Sequence, residues 1–80
     1  MSDDEIKAMV VRELGKIAPE AEADIDPAAD LREQIDLDSM DMLNLMIAIH
    51  ETVGVDIPEA DYPQLATLNG CVSYLRTRIK

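Results

Sequence analysis

The stretch from Ser39 to Val53 carries apolar side chains around most of a helical wheel. At about 100° per residue, one apolar stripe covers roughly a third of the circumference, which is enough to face a core. This stripe, the inner face, consists of Met42, Leu45, Met46, Ile49 and Val53. A second group on nearly the opposite side, the outer face, consists of Met40, Leu43 and Ile47. A helix that is apolar on both faces is either fully buried or exposes one face to another molecule.

The size of the chain bears on this choice. The chain has 80 residues, and a domain of this size buries only about 60% of the surface that its unfolded chain exposes. Such a thin core can hardly enclose one helix on all sides, so we expect the outer face to stay exposed. The alternative is that the preceding loop folds over the outer face. The length also predicts a single domain over residues 1–80, with little room for a deep catalytic pocket.

Capping residues and apolar periodicity predict an all-α fold, a small bundle of three main helices plus one short helix. Ser2 and Glu5 form a capping box before the first helix, Gly54 ends the second, and Pro63 limits the third to one or two turns. Thr67 is the predicted cap of the last helix. The predicted helices are Asp3–Ile17, Ser39 or Met40 to Val53, Glu59–Gln64 and Leu68–Ile79.

A long loop, Ala18–Leu37, separates the first two main helices. It contains two prolines and shows no sustained periodicity, which is typical of an ordered loop rather than a helix. Loops of this length in a compact domain usually have a function. We expect its apolar residues to pin it to the core, namely Ile25, Leu31, Ile35 and Leu37.

Charge restricts the partners of this chain. Asp and Glu number 17 against 7 Lys and Arg, which gives a formal net charge of −10 at pH 7. Most of the acids lie between Ile17 and Asp61, where Arg32 is the only Lys or Arg. This balance repels phosphate backbones and anionic membranes, so we expect neither nucleic-acid binding nor membrane insertion. It favours partner proteins with basic patches.

The ends of the chain and its cysteine content suggest a location. The acidic start lacks the basic residues and apolar run of a signal peptide, and no apolar stretch approaches the roughly 20 residues that span a bilayer. The single cysteine, Cys71, excludes an intrachain disulfide and a Cys-rich metal site. We therefore expect a cytoplasmic protein, and a monomer.

Ser39 lies at the start of the second main helix, directly after the predicted N-cap Asp38. A serine there is exposed, and its hydroxyl oxygen can form one ester of a phosphodiester that the positive helix end tolerates. The neighbouring acids Asp36 and Asp41 would repel a freely diffusing phosphate, but they do not prevent a covalent attachment. The alternative is that Asp38 only caps the helix and Ser39 is an ordinary residue of its first turn.

Asp38-Ser39-Met40 resembles the Asp-Ser-Leu motif of acyl and peptidyl carrier proteins, in which the serine carries 4′-phosphopantetheine. Val55-Asp56-Ile57-Pro58 resembles the acidic-Ile-Pro connector of the same family, and Leu68–Ile79 resembles its last helix. The resemblance implies an acyl carrier protein that holds acyl intermediates as thioesters on an arm attached to Ser39. It also implies a role in fatty-acid, polyketide or specialised acyl metabolism.

The same resemblance implies the partners. They are a phosphopantetheinyl transferase, which takes the arm from coenzyme A, and acyl-loading and acyl-processing enzymes with basic docking patches. By resemblance, Asp38 would help to position the metal and coenzyme A on the transferase. The predicted partner-docking residues are Asp38, Met40, Asp41, Leu43, Ile47 and Glu51.

Four positions depart from the family pattern. Leu37 replaces a residue that is often small, Met40 replaces leucine, and Asn44 and His50 occupy positions that are often acidic. These departures favour a dedicated carrier of a specialised pathway over the housekeeping fatty-acid carrier.

No catalytic residue and no metal site are predicted, and an enzyme is not expected. His50 is the only histidine, Cys71 lies on the apolar stripe of the last helix, and no base is evidently paired with either. Met40 stands where a calcium-binding loop needs an oxygen ligand. Two other functions stay open, an aminoacyl or peptidyl carrier and an unmodified acidic helical adaptor. Modification of Ser39 by phosphopantetheine would separate the adaptor from the carriers.

Overall fold

A computed structural model describes residues 1–19 and 25–79 of the chain. Residues 20–24 of the predicted loop, and Lys80, lie outside the described residues. The described residues fold into helices joined by turns and loops, which confirms the predicted all-α class. In chain order the helices are α1 (Asp3–Ile17), α2 (Leu31–Gln34), α3 (Ser39–Val53), a 3₁₀ helix (Glu59–Leu65) and α4 (Leu68–Arg76).

Helix α1 begins and ends where the sequence predicts. The Ser2 hydroxyl accepts a hydrogen bond from the Glu5 backbone N–H at 3.2 Å, and the Glu5 carboxylate accepts one from the Ser2 N–H at 3.0 Å. These two bonds satisfy N–H groups that have no partner within the helix. The bond from the Ser2 N–H also lowers the pKa of the Glu5 carboxyl, because it favours the charged form of that group.

Helix α3 also has its predicted bounds, Ser39–Val53. Gly54 follows it with φ of 71°, in the left-handed region, and its N–H donates to the carbonyl oxygen of His50 at 2.8 Å. A residue with a Cβ is strained in this conformation, which explains why glycine stops the helix here.

Two predicted boundaries were wrong. The loop contains the one-turn helix α2, because the Asp30 carboxylate caps it by accepting from the Arg32 N–H at 2.8 Å. Helix α4 ends at Arg76 and does not reach Ile79. The chain turns there, since the Thr77 hydroxyl donates to the Tyr74 carbonyl oxygen at 2.8 Å and the Arg78 N–H donates to the Leu75 carbonyl oxygen at 2.9 Å.

The core lies where α1 packs against both α3 and α4, with the 3₁₀ helix packed on α4. The side chains that are fully buried at its centre are Ile6, Val10, Leu14, Leu31, Leu45, Ile49, Leu65, Cys71 and Leu75. As predicted, the loop contributes apolar side chains to this core: Leu31, Ile35 and Leu37 are buried, and Ile25 is half-buried against it. Among the described residues, no helix has the length and apolar character needed to cross a bilayer.

Candidate functional site

Ser39 is the first residue of α3 and is exposed. The residues on either side form a second capping box. The Asp38 carboxylate accepts from the Asp41 N–H at 2.9 Å, and the Asp41 carboxylate accepts from the Asp38 N–H at 3.2 Å. The Ser39 side chain takes no part in either bond. The helix start is therefore held by its two acids, and Ser39 itself is exposed.

The outer face of α3 is exposed, as the sequence predicts. Met40 exposes 62% of its surface, Leu43 37% and Ile47 45%. The alternative, in which the loop covers this face, does not hold for the described loop residues, 18–19 and 25–37, because they pack their apolar side chains into the core instead. Asp38 and Glu51 are exposed near this face, and Asp41 is half-buried. The inner face is buried at Leu45, Met46 and Ile49 and half-buried at its two ends.

A cleft of about 550 Å³ begins beside Ser39, between α3 and the 3₁₀ helix. Its lining is mainly apolar and includes Met40 and Leu43, so the outer face and the cleft are continuous. Arg32 is the one Lys or Arg in the lining. The residues that complete the lining are Asp30, Met42, Glu59, Tyr62, Pro63 and Ala66.

Sequence reasoning missed this cleft and the place of Arg32, Glu59 and Tyr62 in it. No local pattern relates Arg32 to Glu59 and Tyr62, because Arg32 lies in α2 and the other two lie in the 3₁₀ helix. One signal was available: Arg32 is the only Lys or Arg in a strongly acidic region.

The 3₁₀ helix forms one wall of the cleft and is fixed to α4 behind it. The Tyr74 hydroxyl donates to the Asp61 carboxylate at 2.6 Å, and the Arg78 guanidinium lies 3.7 Å from the centre of the Tyr74 ring. The backbones approach closely at Gly70, where a Cβ would collide with the carbonyl oxygen of Gln64. Glycine at position 70 is therefore what lets the end of the 3₁₀ helix pack against α4.

A second cleft, of about 330 Å³, lies between α3 and the connector that follows it. His50 lines it and joins its two sides, since its Nδ1 lies 2.9 Å from the carbonyl oxygen of Val55 and 3.5 Å from the Asp56 carboxylate. The sequence placed His50 on the surface, and it is exposed, but these two contacts were not predicted. They hold the connector against the end of α3.

Cys71 is buried in the core, as its position on the apolar stripe predicts. Burial raises the pKa of its thiol to about 12, so the thiol stays protonated at neutral pH. Its sulfur lies 3.3 Å from the carbonyl oxygen of Leu65. A buried, protonated thiol cannot act as a nucleophile.

No cluster of three or more His, Cys, Asp or Glu side chains in residues 1–19 and 25–79 is arranged to hold a metal ion. A covalently attached phosphopantetheine fits the residues present better. Ser39 offers an exposed hydroxyl at a helix start, and the cleft beside it offers an apolar surface with one cation at its edge.

Comparison with known proteins agrees with this arrangement. The family model of the phosphopantetheine attachment site matches residues 4–75 of the chain. An acyl carrier protein of Chlamydia caviae is 29% identical over 76 residues, which cover 95% of this chain and 94% of the relative. One of Chlamydia muridarum is 30% identical over the same shares of both chains. One of Rubrobacter xylanophilus is 30% identical over 54 residues, or 68% of this chain and 67% of the relative.

These matches confirm the resemblance first seen at Asp38-Ser39-Met40. Acyl carrier proteins are carriers and not enzymes, in agreement with the absence of a predicted catalytic residue. The cofactor of the family is 4′-phosphopantetheine, as predicted. Because the family model spans most of the chain and the two Chlamydia relatives match it almost end to end, the chain belongs to the acyl carrier protein family, whose members contain the phosphopantetheine attachment site.

Proposed function

We propose that Ser39 is the residue that carries 4′-phosphopantetheine, and that the chain delivers acyl groups on this arm to partner enzymes. One observation carries the proposal. Ser39 is the exposed first residue of α3, where its hydroxyl is accessible beside an apolar cleft. The other serines of the chain, Ser2 and Ser73, lie elsewhere: Ser2 caps α1 with its hydroxyl, and Ser73 lies within α4.

Ser39 would take part in one reaction, the attachment of the arm to its hydroxyl oxygen. Its Oγ would form a new O–P bond to the phosphorus on the pantetheine side of coenzyme A. The bridging P–O bond of the pyrophosphate would break, and the nucleotide would leave with its phosphate. The transferase would take up the serine proton. The bound arm supplies a terminal thiol that forms a thioester with the acyl group. Asp38 and Asp41 keep the helix start intact around Ser39 through their two hydrogen bonds.

The outer face of α3 is the docking surface in this proposal. Its apolar centre, Met40, Leu43 and Ile47, has Asp38, Asp41 and Glu51 near its edge. An apolar centre with a charged rim is the usual composition of a protein interface. The acidic rim suits a basic partner surface and would speed the encounter with it. The partners proposed are the phosphopantetheinyl transferase and the enzymes that load and process the acyl group.

The proposal includes a specialised acyl pathway, a cytoplasmic location and a monomeric chain with one domain over residues 1–80. The pathway is supported by the departures from the family pattern at Leu37, Met40, Asn44 and His50. Intact-mass analysis of protein from its native cells, with the thioester preserved, would identify the cargo.

Replacement of Ser39 tests the proposal directly. With coenzyme A and a broad-specificity transferase, wild type should gain the mass of one phosphopantetheine and Ser39→Ala should gain none. Ser73→Ala is the matched control, since Ser73 is also an exposed helical serine, and it should be modified like wild type. If wild type stays unmodified while a known carrier reacts in parallel, the chain is an unmodified adaptor instead.

A further inference from the structure

Arg32 is the only Lys or Arg between Lys16 and Arg76. It lies in the one-turn helix α2, and its Nε–H donates to the carbonyl oxygen of Leu37 at 3.4 Å. Leu37 is two residues before Ser39. This bond holds the guanidinium against the segment that leads into α3 and leaves its two terminal nitrogens available.

Arg32 differs from other arginines of the chain in its pairing. Arg12, Arg76 and Arg78 each lie within 4 Å of a carboxylate oxygen. In the part of the chain that the structure describes, Arg32 has no such ion pair although acids surround it in sequence. Asp30, two residues before Arg32, uses its carboxylate to cap α2, where it accepts from the Arg32 backbone N–H at 2.8 Å. Glu33, the next residue in the chain, is not within ion-pair distance of Arg32 among the described contacts.

Arg32 and Ser39 line the same cleft. The two carboxylates of the lining belong to Asp30, which caps α2, and to Glu59, at the start of the 3₁₀ helix. The rest of the lining is mainly apolar. Arg32 is exposed. An arginine guanidinium is more weakly hydrated than a lysine ammonium and offers parallel N–H donors, which suit two oxygens of one anionic group.

We propose that Arg32 binds an anionic oxygen group of the loaded arm. This inference rests on the proposed attachment of the arm to Ser39. Two groups could be the source of the anionic oxygens that Arg32 binds. One is the phosphodiester that joins the arm to Ser39, and the other is a carboxylate at the far end of the cargo. In either case Arg32 compensates a negative charge that loading adds to an acidic region. If the carboxylate is the source, Arg32 selects acyl groups that carry an acid.

The test compares wild type, Arg32→Gln and a control, Arg12→Gln. Arg12 lies on α1 outside the cleft, and its replacement removes the same charge. Each protein is prepared without the arm, with the arm, and with the arm bearing an acetyl or a succinyl thioester. Intact mass verifies loading. The NMR resonances of the arginine Nε–H groups and the melting temperature are then measured for each form.

If the phosphodiester is the source, attachment of the arm shifts the Arg32 Nε–H resonance in wild type, and acetyl and succinyl cargo add nothing. If the carboxylate is the source, the shift appears with succinyl cargo only. In the loaded form that shifts the resonance, Arg32→Gln should lower the melting temperature by about 2–4 °C more than it does in the protein without the arm. This is the size of effect expected from a partly exposed charge pair in a domain of this size. Arg12→Gln should show no such difference.

An Arg32 resonance that stays unmoved in every loaded form would overturn the inference, whatever the stability of the variants. A chain that gains no mass would overturn the proposed function itself, so the two failures are distinguishable.

Discussion

Two isoleucines of α3 have opposite environments. Ile49 is completely buried, whereas Ile47, two residues earlier, exposes 45% of its surface. The inner face meets α1 in the core, but none of the helices in the described ranges covers the outer face. The apolar composition of α3 thus predicts two faces that could each be buried. The number of elements that pack against the helix decides how many of these faces are buried. In a chain of this size only one face is.

The largest expected effect separates the two faces by stability. Ile49→Ala should reduce the free energy of unfolding by about 2–5 kcal/mol, because it leaves a cavity in the core. Ile47→Ala, at an exposed position, should change it by less than about 0.5 kcal/mol. Urea denaturation followed by circular dichroism measures both. An Ile47→Ala variant as unstable as Ile49→Ala would show that the outer face is core in solution.

The second effect separates the faces by function. Ile47→Arg should slow modification by the transferase about 10-fold or more, since a cation at the centre of the docking surface opposes a basic partner and removes an apolar contact. Its melting temperature and helical signal should stay close to those of wild type. Asn69→Arg adds the same charge at an exposed position on another helix, α4, and it should be modified at nearly the wild-type rate. Equal rates for the two variants would remove the outer face from the interface.

The smallest effect concerns charge. Crowded carboxylates around α3 and the loop repel one another, and added salt shortens this repulsion to about 8–10 Å at physiological ionic strength. Salt should therefore raise the melting temperature, by about 2–5 °C. Divalent cations should raise it more at equal ionic strength by bridging acids near Asp36, Asp38 and Asp56. No dedicated metal site is needed for this.

The same ions should weaken docking, because the attraction between an acidic carrier and a basic partner is screened too. Thermal melts and transferase-binding titrations over one salt series test both signs. Stability that falls with salt, or binding that does not weaken, would show that repulsion among these acids has no such role.

Much of the fold was predictable because it depends on local chemistry. Ser2 and Asp38 cap α1 and α3, and Gly54 ends α3 in a conformation that favours glycine. Each of these signals acts within one helical turn, so the sequence contains all the information required. The exposure of Ser39 and of the outer face followed from the same bounds and from the size of the chain.

The rest depends on contacts between distant segments. Helix α2 is too short for periodicity to reveal, and its first residue is held by a bond from the Leu31 N–H to the carbonyl oxygen of Ala66 at 2.8 Å. The end of α4 is set by a turn in which Thr77 and Arg78 donate to carbonyl oxygens of the last helical turn. The cleft joins Arg32, Ser39 and Tyr62 from three elements, which no spacing in the sequence brings together.

Gly70 influences the cleft beside Ser39 without lining it. It does not line the cleft, yet it sets how closely the 3₁₀ helix lies to α4, and that helix is the wall of the cleft. A methyl group at position 70 would shift the wall from behind and so alter the dimensions of the space beside Ser39. The dimensions of the cleft therefore depend on a residue that is not part of its lining.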